Sequence, residues 1–251
     1  MFKKTLLACA IWGVCAASTA SAQEVQRMPS TTALQAVTAT TTVAPAKTVF
    51  VLVDLTGSFV DHMLAGDFID RSIKRVMREV QANVGSHSLV RVGIIGHSNR
   101  DVTSDAAGGT YEHLLAKEWS VGGRYTKEKV ASGVRRWLDD IAADLRSGKI
   151  KKQENTAVIM AMDRASELIR KANQPCAVIA ISDLDDTELG LPLPAPYRPN
   201  LLKGCQVYGI GAGITLREGT KAERQLRKAW EGYFQAAGVD VASDFYWIPN
   251  P

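Results

Sequence analysis

The sequence predicts an α/β protein: a doubly wound, mostly parallel sheet flanked by helices, of Rossmann-like type. Three observations carry this. Strand-like apolar runs alternate with amphipathic helical segments from Thr48 to Ile248. The runs Val49–Val53 and Ala177–Ile181 are apolar at every position, the pattern of strands buried on both faces. The first run stops at Asp54 and the second is followed by Ser182 and Asp183, carboxylates at the strand end where α/β folds place their ligands.

The elements follow in order. Thr48 to Asp54 is the first strand, and Phe59 to Val84 reads as one helix, with Met63, Phe68, Ile69, Ile73, Val76, Met77 and Val80 recurring every three to four residues. Gly85 lies just past its end. Leu89 to Ile95 is a second strand, and His113 to Val121 an edge strand. Thr126 to Leu145 is an amphipathic helix with Val130, Val134, Trp137, Leu138 and Ile141 on one face. Ala157 to Ala172 is the next helix, followed by the strand from Cys176 to Asp183. Leu184 to Leu202 holds Pro192, Pro194, Pro196 and Pro199 and reads as loop. Gly204 to Ala212 is a strand, Thr220 to Ala237 a helix, and Phe245 to Ile248 a last short strand.

The N-terminus predicts export. Lys3 and Lys4 precede the apolar run Leu6 to Ala17, and Ser18-Thr-Ala20-Ser-Ala22 ends in small residues, so residues 1–22 read as a signal peptide. That run is short for a membrane span, and the mature chain is not expected to be an integral membrane protein. Residues 23–47 are rich in Thr, Ala, Ser and Val without a period and read as a flexible leader. Residues 48–251 form one domain. The expected location is periplasmic or secreted, in a bacterium. Lys plus Arg number 30 against 26 Asp plus Glu, a net +4 that includes Lys3 and Lys4. The mature chain is therefore near neutral and is not expected to bind nucleic acid. The basic runs Lys149–Lys152 and Arg71–Arg78 read as solvated surface.

The candidate site starts at Asp54-Leu-Thr56-Gly-Ser58, which offers three oxygen-bearing side chains within five residues. Such donors suit a hard divalent cation. Taken alone, the stretch fits equally well as a helix cap, with the hydroxyls completing a turn. Asn155-Thr156 opens a helix just before the strand that leads to Asp183. In a doubly wound sheet the strands ending at Asp54 and Asp183 are neighbours across the switch point, so Asp54, Thr56, Ser58, Thr156 and Asp183 would converge.

These segments resemble the metal-ion-dependent adhesion site of von Willebrand factor A-type domains: Asp-x-Ser-x-Ser, then a distant Thr, then a distant Asp. Thr56 replaces the first Ser, and Thr103 and Thr110 compete with Thr156 for the middle position. The resemblance spans about Thr48 to Ile248. It implies non-catalytic protein binding through Mg²⁺ (or Ca²⁺ or Mn²⁺), with an acidic residue of a partner protein completing the coordination. That partner would belong to a secretion, conjugation or surface assembly. His97, close after the second strand, is the one histidine expected near the site, and no nucleophile–base pair is visible.

A rival from another class is Asp183-Leu-Asp185-Asp186-Thr187, which resembles the Asp-x-Asp-x-Thr motif of the haloacid dehalogenase phosphatases. In that family Asp183 would be nucleophile, Asp185 general acid, and Mg²⁺ the phosphate's counter-charge. That motif lies on the family's first strand, whereas only 68 residues follow Asp183 here (251 minus 183). Gly209-Ile-Gly211-Ala-Gly213 lacks dinucleotide-binding spacing and reads as a tight turn.

Cys9 and Cys15 would leave with the signal, which leaves Cys176 and Cys205 for an oxidising compartment. Each opens a strand, and in adjacent parallel strands equal register would allow a disulfide. The alternative is two buried free thiols.

Overall fold

The computed structural model describes residues 46–95, 117–150, 152, 156–172, 174–187 and 189–251, all within one compact unit. The expected signal peptide, the expected leader as far as residue 45, His97, Thr103, Thr110 and Asn155 lie outside the described residues.

The strands are β1 (Thr48–Asp54), β2 (Leu89–Ile95), β3 (Lys117–Ser120), β4 (Cys176–Ile181), β5 (Cys205–Ile210) and β6 (Phe245–Ile248). They form one six-stranded sheet in the order β3-β2-β1-β4-β5-β6. Among the described residues only the pairing of β2 with β3 is antiparallel. This mixed, mostly parallel sheet flanked by helices is the predicted α/β, Rossmann-like architecture.

Among the described residues the helices are α1 (Gly57–Leu64), α2 (Phe68–Asn83), α3 (Lys127–Arg146), α4 (Val158–Ala172), α5 (Lys221–Ala236) and the one-turn α6 (Val241–Asp244). The alternation of β1 sorts them into layers. Val49, Val51 and Val53 pack in a core with Ile73, Val76 and Val80 of α2 and Val134, Trp137 and Ile141 of α3. Phe50 and Leu52 point the other way, into a core with Ile159 and Met162 of α4 and Leu226, Trp230 and Phe234 of α5. Every β1 residue is buried, as a strand covered on both faces must be.

The single helix expected over Phe59–Val84 is two. The chain leaves helical geometry at Ala65, and Gly66 sits at φ 57°, the left-handed conformation that glycine adopts without a Cβ clash. Phe59 and Phe68 then meet edge-on across the break, 6.2 Å apart. β3 begins at Lys117, so residues 113–116 of the expected edge strand lie outside the description. Thr126 and Thr220 cap α3 and α5 by accepting the backbone N–H of Lys129 and Glu223.

Cys176 and Cys205 are direct register partners at the entry of β4 and β5, and they form a disulfide with Cα atoms 4.5 Å apart. Lys47, which the sequence assigns to the leader, is built into the same end of the domain. Its backbone N–H donates to Ser88 Oγ, its C=O accepts from Leu89 N–H, and its ammonium donates to Asn83 Oδ1 at 2.8 Å. Among the described residues, no helix is long and apolar enough to cross a membrane.

Candidate functional site

β1 pairs with β2 on one side and β4 on the other, so the switch point lies between β1 and β4. Asp54 is the last residue of β1, and Asp183 stands two residues beyond the end of β4. Both are buried at the carboxyl ends of these strands.

Both oxygens of Asp54 are held by hydroxyls. Oδ1 accepts from the backbone N–H and the hydroxyl of Thr56, at 2.9 and 2.8 Å. Oδ2 accepts from the hydroxyl of Ser182 at 2.7 Å, and that hydroxyl accepts in turn from Leu184 N–H at 2.9 Å. Asp54 therefore folds back on Thr56 in an Asx-type turn and does not cap α1. Thr56 is the N-cap residue, and its side chain makes no capping bond. Its hydroxyl donates to a carboxylate, which leaves its lone pairs as acceptors.

Asp183 is differently placed. Its Oδ1 accepts from Asp185 N–H at 3.1 Å, and its Oδ2 is buried with no hydrogen-bond partner of ordinary geometry among the described residues. Gly213 N–H donates to the Asp183 carbonyl at 2.8 Å, which ties Asp183 to the glycine turn after β5. That turn needs its glycines. Gly211 has φ 92°, and a Cβ there would stand 2.8 Å from Phe59, so the segment is the tight turn expected of it.

Burial dominates the electrostatics. It pushes the Asp54 carboxyl from its ordinary 3.8 up to about 7, and the charge of Asp183 adds to the rise against the hydrogen bonds from Ser182 and Thr56. Burial likewise raises Asp183 to about 6, tempered by Asp185 N–H and the nearby Thr215 hydroxyl. That hydroxyl is buried without a hydrogen bond of ordinary geometry. The charge of His62 on α1 also favours ionised Asp183. Among the described residues neither Asp54 nor Asp183 has an ion-pair partner.

The fold thus brings Asp54, Thr56 and Asp183 to one crevice. Ser58 is exposed in the first turn of α1. Thr156 is buried, and its N–H donates to Thr187 Oγ1 at 2.9 Å, which fastens it to the loop that follows Asp183. Among the described residues no group of three or more His, Cys, Asp or Glu side chains is placed to hold a metal. The oxygen set here is two carboxylates with hydroxyls, a hard-donor composition. A buried carboxylate oxygen beside a second carboxylate, without a hydrogen-bond or ion-pair partner among the described residues, fits such a group.

The residues of the rival phosphatase motif have other partners. Thr187 takes the Thr156 N–H, and Asp186 is buried against the first turn of α4. Asp185 is half-buried, and burial followed by the charge of Asp186 raises its pKa. Sequence reasoning overlooked Ser182, Thr215 and His62. Ser182 was visible beside Asp183. Thr215 and His62 carry no local signal, because only the packing of the turn after β5 and of α1 brings them to Asp183.

No protein-family model matches the chain, and no curated protein matches it. Among solved structures it is similar to the pilus adhesin SpaC from Lactobacillus rhamnosus GG in its open conformation, at 11% identity and a TM-score of 0.40. The match covers 80% of this chain and 28% of the adhesin. At that level the similarity carries no argument, and the functional reading rests on the site.

Proposed function

We propose that this chain is an exported, non-catalytic protein-binding module of von Willebrand factor A type whose binding depends on a divalent cation. Mg²⁺ is the first candidate, with Ca²⁺ and Mn²⁺ next. The observation that carries the reading is the pair of buried carboxylates at the switch point, which among the described residues leave one oxygen unpartnered and have no ion-pair partner within bonding distance.

Asp54, Thr56, Ser58, Thr156 and Asp183 are the residues that would hold the cation. A cation there would supply an open coordination position for a carboxylate of a partner protein. Asp54 contributes charge and, through its bonds from Thr56 and Ser182, a locked orientation. Asp183 contributes the second charge and the free oxygen. The partner is a protein presenting an Asp or Glu, in a secretion, conjugation or surface assembly. The disulfide agrees with an oxidising, extracytoplasmic location.

Calorimetric titration of MgCl₂ into wild type and Asp54→Ala tests the reading. Wild type should bind, and the variant should lose at least about a hundredfold in affinity, since a buried charged ligand is removed. Equal heats would defeat the proposal. So would Mg²⁺-dependent turnover of an aryl phosphate that Asp183→Asn abolishes, because that is the signature of the phosphatase reading.

A further inference from the structure

The acidic loop after Asp183 looks in the sequence like solvated surface or catalytic machinery. Its hydrogen bonds describe something else. α4 starts at Val158, and the residue before it, Ala157, has no side-chain oxygen to cap the helix. The cap comes from 27 residues away, where Asp186 Oδ2 accepts the backbone N–H of Ile159 at 2.9 Å. Asp186 is 1% exposed, and its other oxygen accepts from Leu189 N–H at 3.0 Å, so the carboxylate ties its own loop to α4. One residue on, Thr187 Oγ1 accepts the N–H of Thr156 at 2.9 Å. Two adjacent side chains of the Asp183 loop therefore hold the start of the Thr156–α4 segment at two points.

We infer that Asp186 and Thr187 are positioning residues of the cation site, a clamp that locks Thr156 against the segment bearing Asp183. The inference rests on the cation reading above and extends it. Asp54 and Thr56 come from one chain segment and are ordered by their own turn. Thr156 and Asp183 come from separate segments, and a site built from both needs a tie between them. Fixing the Thr156 backbone limits where its hydroxyl can stand, so the cation meets a prepared ligand and need not order one. The clamp also accounts for Thr187: its side chain is exposed, yet its hydroxyl is engaged with a backbone 31 residues away.

The test uses Thr187→Val, which keeps the shape and removes the hydroxyl, and Thr187→Ser, which restores it. The side chain is exposed, so neither change disturbs the core. Two quantities are read: the Mg²⁺ affinity by calorimetry, and amide hydrogen exchange at Thr156 and Ile159 in metal-free protein. Thr187→Val should weaken Mg²⁺ binding by about five- to tenfold, the worth of one hydrogen bond, and speed exchange at Thr156. Thr187→Ser should bring both back to wild type. Wild-type Mg²⁺ affinity in Thr187→Val overturns the positioning role, whatever the exchange shows. Wild-type protein that gives no heat with Mg²⁺ overturns the cation reading itself, which separates that failure from failure of the clamp.

Discussion

The two ends of the same strands are finished in opposite ways. At the entry end, β4 and β5 are joined by Cys176–Cys205, and Lys47 donates to Asn83 Oδ1 and Gln206 Oε1. The partly buried ammonium of Lys47 has acceptors, and the hydroxyl of Thr48, buried without a partner among the described residues, carries no charge. At the exit end, Asp54 and Asp183 are buried side by side, and among the described residues one of their oxygens is unpartnered. A neutral orphan costs little, about 1–3 kcal/mol, while an unpaired buried carboxylate either protonates or takes a cation. The contrast teaches where a fold spends its stability: the closed end holds the strands together, and the open end holds a state that a ligand can complete.

Cutting the disulfide has the largest expected effect on this comparison. Cys176→Ala/Cys205→Ala should lose roughly 3–4 kcal/mol in urea unfolding, on the chain-entropy argument for a separation of 29 residues. Its Mg²⁺ affinity should stay at the wild-type value, since the cysteines stand at the opposite end of β4 from Asp183. A matching loss of Mg²⁺ binding would show that the two ends are coupled.

The pH dependence of metal-free stability is the next largest. Asp54 and Asp183 titrate near their ordinary 3.8 when unfolded, and near 7 and 6 in the fold. Between about pH 4 and 7 the native state therefore binds more protons than the unfolded chain. Their contribution is full at the acid end and is lost as pH rises through the folded values, by at most about 1.4 kcal/mol per pH unit for each group. Asp54→Asn should flatten that slope in thermal melts and stabilise the metal-free protein at pH 8. Saturating Mg²⁺ should oppose the loss in wild type. A variant that melts with the wild-type pH slope would place the charge elsewhere.

The smallest effect is at Lys47. Lys47→Met should lower stability by about 1 kcal/mol through its hydrogen bonds to Asn83 and Gln206, with Mg²⁺ binding unchanged. No change in stability would mean that the domain begins at β1.

Much of this protein was legible in the order of its residues. A strand buried on both faces must be apolar throughout, so β1 and β4 announced themselves, and the alternation with helices announced the sheet. Cys176 and Cys205 near the entries of two buried strands made a bridge one of two readings, and the register of β4 against β5 decided for it. Hydroxyls two and four residues after Asp54 were readable directly. The Thr48–Ser58 stretch left open whether Asp54 caps a helix, and the bonds from Thr56 and Ser182 answered that it does not.

Tertiary structure alone decided the rest. The break at Gly66 is invisible to a period that continues across it, since Phe59 and Phe68 pack together from either side. Lys47 belongs to the domain because its partners are 36 and 159 residues away. Thr215 and His62 reach Asp183 only through packing. Asp186 and Thr187, charged or polar in a loop, have the same sequence signature as solvated surface. A sequence records which groups can bond, but burial and long-range partners choose among them, and those exist only once the chain has folded.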